Sequence, residues 1–419
     1  MRVLMLASYF PKPANPLMGN WALSQAQAFL RNGIDVTVVS GTAWVPRVLG
    51  RMSAGAAAYA SCPPEYQWGE LKAYYPRWPF YPVNLLRPLL TANPAAILAP
   101  CWHSIKGQLL SLVDRLRPDV VYAHHTQVNG YLAWRINRVT GLPYVITDHD
   151  FGEIESCRHH PARYRFFRPI VEGASSVIAV ASRMEQLMAG LFPRAHALTV
   201  HNGADPPHQD AFLRQRPAEL ASRRILFCAC AFYERKGIPL LVRAFARTAA
   251  AFPDAILRIA GDGETRPQIE KAIQETGIGS RVQLLGRLRH EDVLQEMIWA
   301  DVFVLPGWDE PFATAFTEAL SACCPIVYAS DGGITDVAVS GKHGLAVEPR
   351  SEDSLVSALS SLLGDDALRQ TMAKASHELF RDRLLWDYNA LRMRSIFAAS
   401  ANAQAAGSAL EESHTSSIR

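Results

Sequence analysis

The chain has 419 residues, of which 49% are hydrophobic and 19% charged, and its formal net charge is +3 at pH 7. This length predicts two domains, and so small a net charge gives no reason to expect a nucleic-acid partner. The seven cysteines form no CxxC pair, which favours a reduced cytoplasmic protein, and no apolar run reaches the roughly 18 residues that a membrane-spanning helix needs.

The first part of the chain alternates strands and helices. Residues 3–8 and 34–40 are short apolar runs typical of buried strands, and the residues between them predict a helix over 22–32. This strand-helix-strand order indicates a parallel sheet. Gly19 lies in the loop before that helix, where a turn into the helix explains a glycine as well as contact with a ligand does.

Two stretches combine aromatic rings with arginines, and such amphipathic side chains are favoured at a membrane interface. The second stretch is residues 158–168, and the first is residues 74–102, which contain Tyr74, Tyr75, Arg77, Trp78, Phe80, Tyr81, Arg87 and Trp102. Our hypothesis is that both contact the inner face of an anionic membrane that carries a lipid-linked acceptor. The alternative is that they pack on the protein's own core.

A second strand-helix-strand unit follows, with strands predicted over 119–124 and 143–148 and a helix over 128–140 between them. The second strand ends in Thr147-Asp148-His149-Asp150. In open α/β sheets ligands bind beyond the carboxyl ends of the strands. A lone histidine is more often structural, but this position makes His149 a candidate site residue.

The second half begins after another strand over 175–181 and a polar, proline-bearing linker over 206–223. A strand over 224–231 leads to Lys236-Gly237, where a lysine beside a glycine and a helix predicts a phosphate contact. Gly261 and Gly263 turn the chain after the next strand, which allows a phosphate or a base to approach the backbone closely. Further strands are predicted over 282–285, 302–305 and 326–329.

The segment 309–320 follows the buried strand over 302–305. Pro311 suits the first turn of a helix, and the free N–H groups of a helix start at Phe312, Ala313 and Thr314 favour an anion such as phosphate. Glu310 lies at the mouth of this cradle and Glu318 eight positions later. Such a pair of carboxylates can accept hydrogen bonds from the hydroxyls of two linked sugars.

Five motifs in this order resemble those of the retaining family 4 glycosyltransferases, which have the GT-B fold. They are Lys236-Gly237, Gly261-Asp262-Gly263-Glu264, the Glu310 and Glu318 pair, Gly332-Gly333-Ile334-Thr335-Asp336, and the stretch from Gly341 to Val347. The resemblance implies an α/β protein of two Rossmann-like domains with a cleft between them. Residues 1–205 would form the acceptor domain and 206–383 the nucleotide-sugar domain. Residues 384–399 would form a helix crossing back to the first domain.

The tail over 400–419 has no periodic apolar face and is expected to be disordered. By resemblance, the enzyme moves a sugar from a nucleotide diphosphate-sugar to a glycan or lipid-linked acceptor in polysaccharide or glycolipid assembly. It would retain the anomeric configuration and use no metal and no cofactor beyond the donor substrate.

The resemblance also implies roles for single residues. His149 and Glu310 would be catalytic, with His149 orienting a sugar hydroxyl, Glu310 holding donor-sugar hydroxyls and Glu318 holding the ribose. The remaining donor contacts would come from Gly19, Arg235, Lys236, Gly261, Gly263, Phe312, Ala313 and Thr314.

One departure from the family pattern leaves alternatives open. Ala231 stands where the family usually has an arginine that contacts the diphosphate. Arg235 is a candidate to compensate; a GT-B-fold binding protein without transfer activity is the alternative, as is another GT-B enzyme such as an epimerase or phosphorylase. Asp148-x-Asp150 also matches the DxD motif of metal-dependent GT-A transferases, but that fold leaves the later motifs unexplained.

Overall fold

The structure, a computed structural model, describes residues 1–16, 18–79 and 87–416. Contacts within the chain divide it into two compact units. One contains Met1–His201 and the chain from Trp386 onward, and the other contains Asn202–Leu385. The first boundary therefore lies a few residues before position 206, which is the start of the second domain predicted from the sequence.

The first unit is built on one large sheet. Its strands are β1 (Arg2–Leu6), β2 (Asp35–Val39), β4 (Glu65–Trp68), β5 (Leu71–Tyr74), β7 (Val120–His124), β8 (Tyr144–Asp148), β9 (Ser176–Ala179) and β10 (Ala197–Thr199). They lie in the order β10-β9-β8-β7-β1-β2-β5-β4, and every pair is parallel except β4 with β5. A separate parallel pair consists of β3 (Thr42–Ala43) and β6 (Arg77–Trp78).

Helices surround this sheet, so its central strands are buried and read as continuous apolar runs. The helices are α1 (Asn20–Arg31), α2 (Ala54–Ser61), α3 (Arg87–Ala92), α4 (Pro94–Leu116), α5 (Tyr131–Thr140), α6 (Phe151–Glu155), α7 (Pro161–Glu172), α8 (Ser182–Leu191) and α16 (Trp386–Ser416). The last helix belongs to this core because the ring of Phe397 lies 5.7 Å from that of Phe29 and 5.2 Å from that of Tyr122.

The second unit has a smaller sheet that is parallel throughout. Its strands are β11 (Arg224–Ala229), β12 (Ala255–Ala260), β13 (Val282–Gly286), β14 (Val302–Leu305), β15 (Ile326–Ala329) and β16 (Gly344–Val347), in the order β13-β12-β11-β14-β15-β16. Its helices are α9 (Gln209–Leu213), α10 (Ile238–Ala249), α11 (Arg266–Thr276), α12 (His290–Trp299), α13 (Thr314–Ser321), α14 (Glu352–Gly364) and α15 (Asp366–Arg383). Strand β11 lies between β12 and β14, which places the loops after these three strands side by side.

Three local features differ from the sequence expectations. Helix α16 continues to Ser416, although residues 400–419 were expected to lack order. This stretch is rich in alanine, the strongest helix former, and it extends a helix already held by its packed first half. A π-helical turn, His125–Gly130, precedes α5 where a plain α-helix was expected. Helix α13 starts at Thr314, so that Pro311 lies outside it.

The aromatic residues of the two aromatic-basic stretches lie mostly in the interior. Tyr75, Trp78, Trp102 and Phe167 are all buried, while Phe80 and Tyr81 lie outside the described residues. These four rings are therefore core residues, whereas Tyr74, Tyr164 and Phe166 are partly exposed. Among the described residues, no helix is both long and apolar enough to span a bilayer.

Candidate active site

The centre of the candidate site in the second unit is the carboxylate of Glu310, in the loop between β14 and α13. Its Oε2 accepts hydrogen bonds from Lys236 Nζ at 2.5 Å and from an Arg235 guanidinium nitrogen at 2.8 Å. The side chains of Glu310 and Lys236 are 7% and 10% exposed, and that of Arg235 is 42% exposed. Two adjacent cations thus meet a carboxylate that lies 74 positions after Lys236 and 75 positions after Arg235.

Backbone contacts fix the two loops that carry these charges. Trp308 donates its N–H to the carbonyl of Arg235 at 3.0 Å. A Cβ on Gly307 would lie 3.0 Å from that same carbonyl oxygen, so a larger residue there would press the loops apart. The Glu310 carbonyl accepts the N–H of Gly333 at 2.8 Å. Backbone hydrogen bonds therefore join the loops after β11, β14 and β15 into one rim at the carboxyl edge of the sheet.

Helix α13 begins beside this rim and has the features of an anion site. Ala313 is its N-cap residue and gives no side-chain cap to the first turn, so the positive end of the helix dipole remains available to a bound anion. Thr314 is the first residue of the helix, and Phe312, which precedes the N-cap, is buried. Because Pro311 lies before the helix, Glu310 is a loop residue rather than a helix residue.

Glu318 lies in the second turn of α13. Burial raises the pKa of its carboxyl, and the nearby His290 opposes that shift. The nearest His290 nitrogen, Nδ1, is 3.7 Å from the carboxylate. A mostly buried carboxylate with free lone pairs is suited to accepting hydrogen bonds from a pair of ligand hydroxyls.

Close packing between two loops requires the glycines that follow β12. Gly261 and Gly263 have φ of 136° and 159°. A Cβ on Gly261 would lie 1.9 Å from the carbonyl oxygen of Cys230, and one on Gly263 would lie 2.6 Å from that of Phe232. The close approach is thus between the loops after β11 and β12. Ala231 lies exposed at this same edge.

The first unit brings three histidines together at the carboxyl edge of its sheet. His124 ends β7, His125 follows it, and His149 follows β8. Nε2 of His149 lies 3.3 Å from Nδ1 of His124, and the rings of these two stack at 5.2 Å. The indole of Trp21, from α1, covers His149 at a ring distance of 4.3 Å. Burial, followed by the neighbouring histidines, lowers the pKa of His149 well below its ordinary value, so this imidazole is neutral near pH 7.

The two aspartates that flank His149 accept hydrogen bonds from backbone N–H groups. The carboxylate of Asp148 accepts the N–H groups of Thr126 and Asp150, both at 2.9 Å. Asp150 caps α6 by accepting the N–H of Glu153 at 3.0 Å. These contacts give both carboxylates of the Asp148-x-Asp150 pattern a structural role.

A histidine and two carboxylates lie close together at the end of β8. His125, Asp148 and Glu153 each place one potential ligand atom within 4.8 Å of the others. An Arg163 guanidinium nitrogen already lies 3.0 Å from Glu153, and its charge disfavours a cation there.

Gly19 is required by its neighbours at the same edge. It precedes α1 with φ of 68°, and a Cβ there would lie 2.3 Å from the carbonyl oxygen of Tyr9, just after β1. Sequence reasoning singled out Gly19 and His149 in this unit but missed His124, His125 and Trp21. The paired histidines at the end of β7 were the available signal, since β7 neighbours β8 in the sheet.

Comparison with known proteins identifies the family. The family model described as Glycosyltransferase Family 4 matches residues 18–207, and the one described as Glycosyl transferases group 1 matches residues 210–379. The chain belongs to glycosyltransferase family 4. It is therefore a glycosyltransferase with the GT-B fold, as the resemblance of its motifs predicted.

Individual relatives agree with this assignment. The transferase is 28% identical to a glycogen synthase of Mycobacterium tuberculosis over 68% of this chain and 69% of that protein. It is 24% identical to a putative teichuronic acid biosynthesis glycosyltransferase of Bacillus subtilis over 86% of this chain and 88% of the relative.

Solved structures show the same fold. A sucrose-phosphate synthase from Thermosynechococcus elongatus superposes with a TM-score of 0.77 and 20% identity, over 96% of this chain and all of the other. The Anabaena protein HepE, solved with UDP-glucose, superposes with a TM-score of 0.67 and 18% identity, over 95% of this chain and 100% of that one.

Proposed function

We propose that the transferase moves a sugar from a UDP-sugar to a glycan or lipid-linked acceptor with retention of anomeric configuration and without a metal ion. The observation that carries the donor assignment is the meeting of Glu310, Lys236 and Arg235 beside the start of α13. HepE, a structural neighbour, was solved with UDP-glucose, which supports uracil as the base of the donor.

The cations and the helix start supply the charge that a departing diphosphate needs. Lys236 and Arg235 carry two positive charges toward one point, and α13 adds the positive end of its dipole. Groups held in place before the reaction stabilise charge that develops on the leaving oxygen, at no cost of reorganisation. This provision of charge by the protein supports a metal-independent reaction.

Glu310 has a double role in this proposal. Without a donor, its carboxylate compensates the nearly buried charge of Lys236. With a donor, the diphosphate takes over part of that task, and the freed lone pairs of Glu310 accept hydrogen bonds from the donor-sugar hydroxyls. Arg235 takes the place of the arginine that the family usually has at the position of Ala231, because the Arg235 guanidinium already contacts the same carboxylate as Lys236.

Two further residues complete the proposed machinery. Glu318 accepts the ribose hydroxyls. His149, neutral because its pKa is lowered, orients a hydroxyl of the donor sugar through a ring nitrogen. Retention by front-face departure and attack is proposed from family membership. Assembly of a surface polysaccharide or glycolipid in the cytoplasm, at the membrane's inner face, is the proposed setting.

The test is transfer from a panel of UDP-, GDP- and ADP-sugars to glycan acceptors in the presence of EDTA, with the product's anomeric configuration read by NMR. A product with the donor's configuration, formed from a UDP-sugar, supports the proposal. Transfer that stops in EDTA and returns with added metal refutes metal independence. An inverted product refutes the mechanism. A complete lack of transfer, with nucleotide still bound, favours the binding-protein alternative raised by Ala231.

A further inference from the structure

A short loop of the first unit exposes large apolar side chains. We call residues 44–51, between β3 and α2, the Trp44–Arg51 loop. Trp44 is 66% exposed, Val48 71% and Leu49 45%. A single exposed leucine is ordinary, but a tryptophan and two aliphatic residues within six positions form a patch of the kind that marks an interaction surface.

The backbone of this loop is held in place while its side chains are exposed. Trp44 donates its N–H to the carbonyl of Trp78 at 2.8 Å, which continues the pairing of β3 with β6. Leu49 donates its N–H to the carbonyl of Pro46 at 2.9 Å. The exposure therefore belongs to a defined turn.

The loop itself carries only positive charge. Arg47 and Arg51 are both exposed, and no ion pair to either is found among the described side chains. The sequence has no acidic residue between Asp35 and Glu65. A surface that combines an exposed tryptophan, aliphatic side chains and arginines without carboxylates complements an anionic, partly apolar partner.

The position of the loop relates it to the histidine cluster of the same unit. It follows β2 and β3, so it emerges beyond the carboxyl ends of the parallel strands. His149 follows β8 at that same edge of the sheet. The Trp44–Arg51 loop and His149 therefore lie at the same edge of the sheet. A surface that contacts the loop would lie at the edge where we propose that the acceptor reacts.

We propose that the Trp44–Arg51 loop docks this unit on an anionic membrane. Trp44, Val48 and Leu49 enter the boundary between headgroups and acyl chains, and Arg47 and Arg51 contact anionic headgroups. This inference deepens the proposed function, since it makes a lipid-linked acceptor the substrate class. It also relocates the membrane contact from residues 74–102 and 158–168, whose rings are largely buried.

The test is co-sedimentation of the full chain with vesicles of phosphatidylcholine, with and without phosphatidylglycerol, at low and high salt. Wild type is expected to bind only the anionic vesicles and to dissociate as salt rises. Arg47→Gln with Arg51→Gln should weaken binding about fivefold for each arginine. Trp44→Ser with Val48→Ser should weaken binding by roughly tenfold or more, because two apolar side chains no longer enter the membrane boundary.

The control is Leu213→Ser in the second unit, where Leu213 is 79% exposed and Arg214 follows it. This change should leave vesicle binding unaltered. A wild-type protein that does not bind anionic vesicles at low salt would overturn the proposal. A loss of vesicle binding in the Leu213 variant equal to that in the Trp44 and Val48 variant would also overturn it. A dimer in vesicle-free solution that Trp44→Ser separates would also overturn it, because the loop would then join two copies.

UDP-induced thermal stabilisation, measured on the same samples, separates this inference from the proposed function. It should be equal in wild type and in both loop variants. Vesicle binding without any response to UDP would contradict the donor assignment alone, and a response to UDP without vesicle binding would contradict only the docking.

Discussion

Replacing Glu310 by glutamine tests whether its carboxylate holds the cationic pair. The substitution keeps the shape of the side chain but removes the negative charge that lies 2.5 Å from Lys236 Nζ and 2.8 Å from the Arg235 guanidinium. Breaking a buried ion pair by removing one partner destabilises a protein by about 3–5 kcal/mol. Because Arg235 is 42% exposed and partly solvated, we expect a loss near the lower end, about 3 kcal/mol.

The same change should have opposite effects on binding and on transfer. A diphosphate can replace the lost carboxylate as counter-ion of Lys236, so UDP should raise the melting temperature of the variant by more than it raises that of wild type. Transfer should fall at least 100-fold, because the donor-sugar hydroxyls lose a charged acceptor worth roughly 1.5–3 kcal/mol for each hydrogen bond.

Thermal unfolding with and without UDP, followed by transfer assays, measures both effects. The double variant Glu310→Gln with Lys236→Met is the control, since it removes the cation and should lose the extra response to UDP. The reasoning fails if Glu310→Gln transfers sugar at the wild-type rate. It also fails if the response to UDP is the same in the single and double variants.

Three further predictions concern other parts of the site. Burial raises the pKa of Glu318, and His290 opposes this shift. UDP-sugar affinity should therefore fall as pH drops through the raised pKa, and His290→Asn should move the fall to higher pH. A pH dependence of affinity that is unchanged in this variant would contradict the prediction. Because the pKa of His149 is lowered well below 6.5, the transfer rate should show no inflection near pH 6.5, and an inflection there that His149→Asn removes would refute a neutral role. Gly261→Ala should prevent folding or lower the melting temperature sharply, since its Cβ would lie 1.9 Å from a carbonyl oxygen. Gly279→Ala should be tolerated, because the atom nearest to its Cβ would lie 3.6 Å away. Equal melting temperatures in the two variants would argue against close packing between the loops after β11 and β12.

Most strands of both sheets could be predicted from local sequence, whereas β4, β5 and β10 of the first unit were not predicted. The strand over 302–305 was predicted with the same bounds that the structure has, because four buried residues between polar turns carry their own signal. Short apolar runs separated by helical patterns are enough to indicate parallel α/β units. The motif order then made the family recognisable, and the family models agree.

What could not be predicted depends on contacts between distant parts of the chain. Pro311 has the local chemistry of a first helical turn, yet the helix starts three residues later at Thr314. The residue before the proline, Glu310, faces Lys236 and Arg235 from a loop. A local pattern contains no information about a partner 74 positions away. The burial of Trp78 and Phe167 is of the same kind, since an amphipathic ring suits both a membrane and a core.

The most direct test of the donor site is a thermal-shift panel of UDP-, GDP- and ADP-sugars, without added metal, on wild type and Glu318→Ala. The account predicts that the UDP-sugars stabilise wild type and that this stabilisation is lost in the variant, which no longer holds the ribose. No shift with any nucleotide sugar would contradict the account and make the missing arginine at Ala231 decisive. An equal shift in both proteins would contradict the assignment of Glu318 to the ribose.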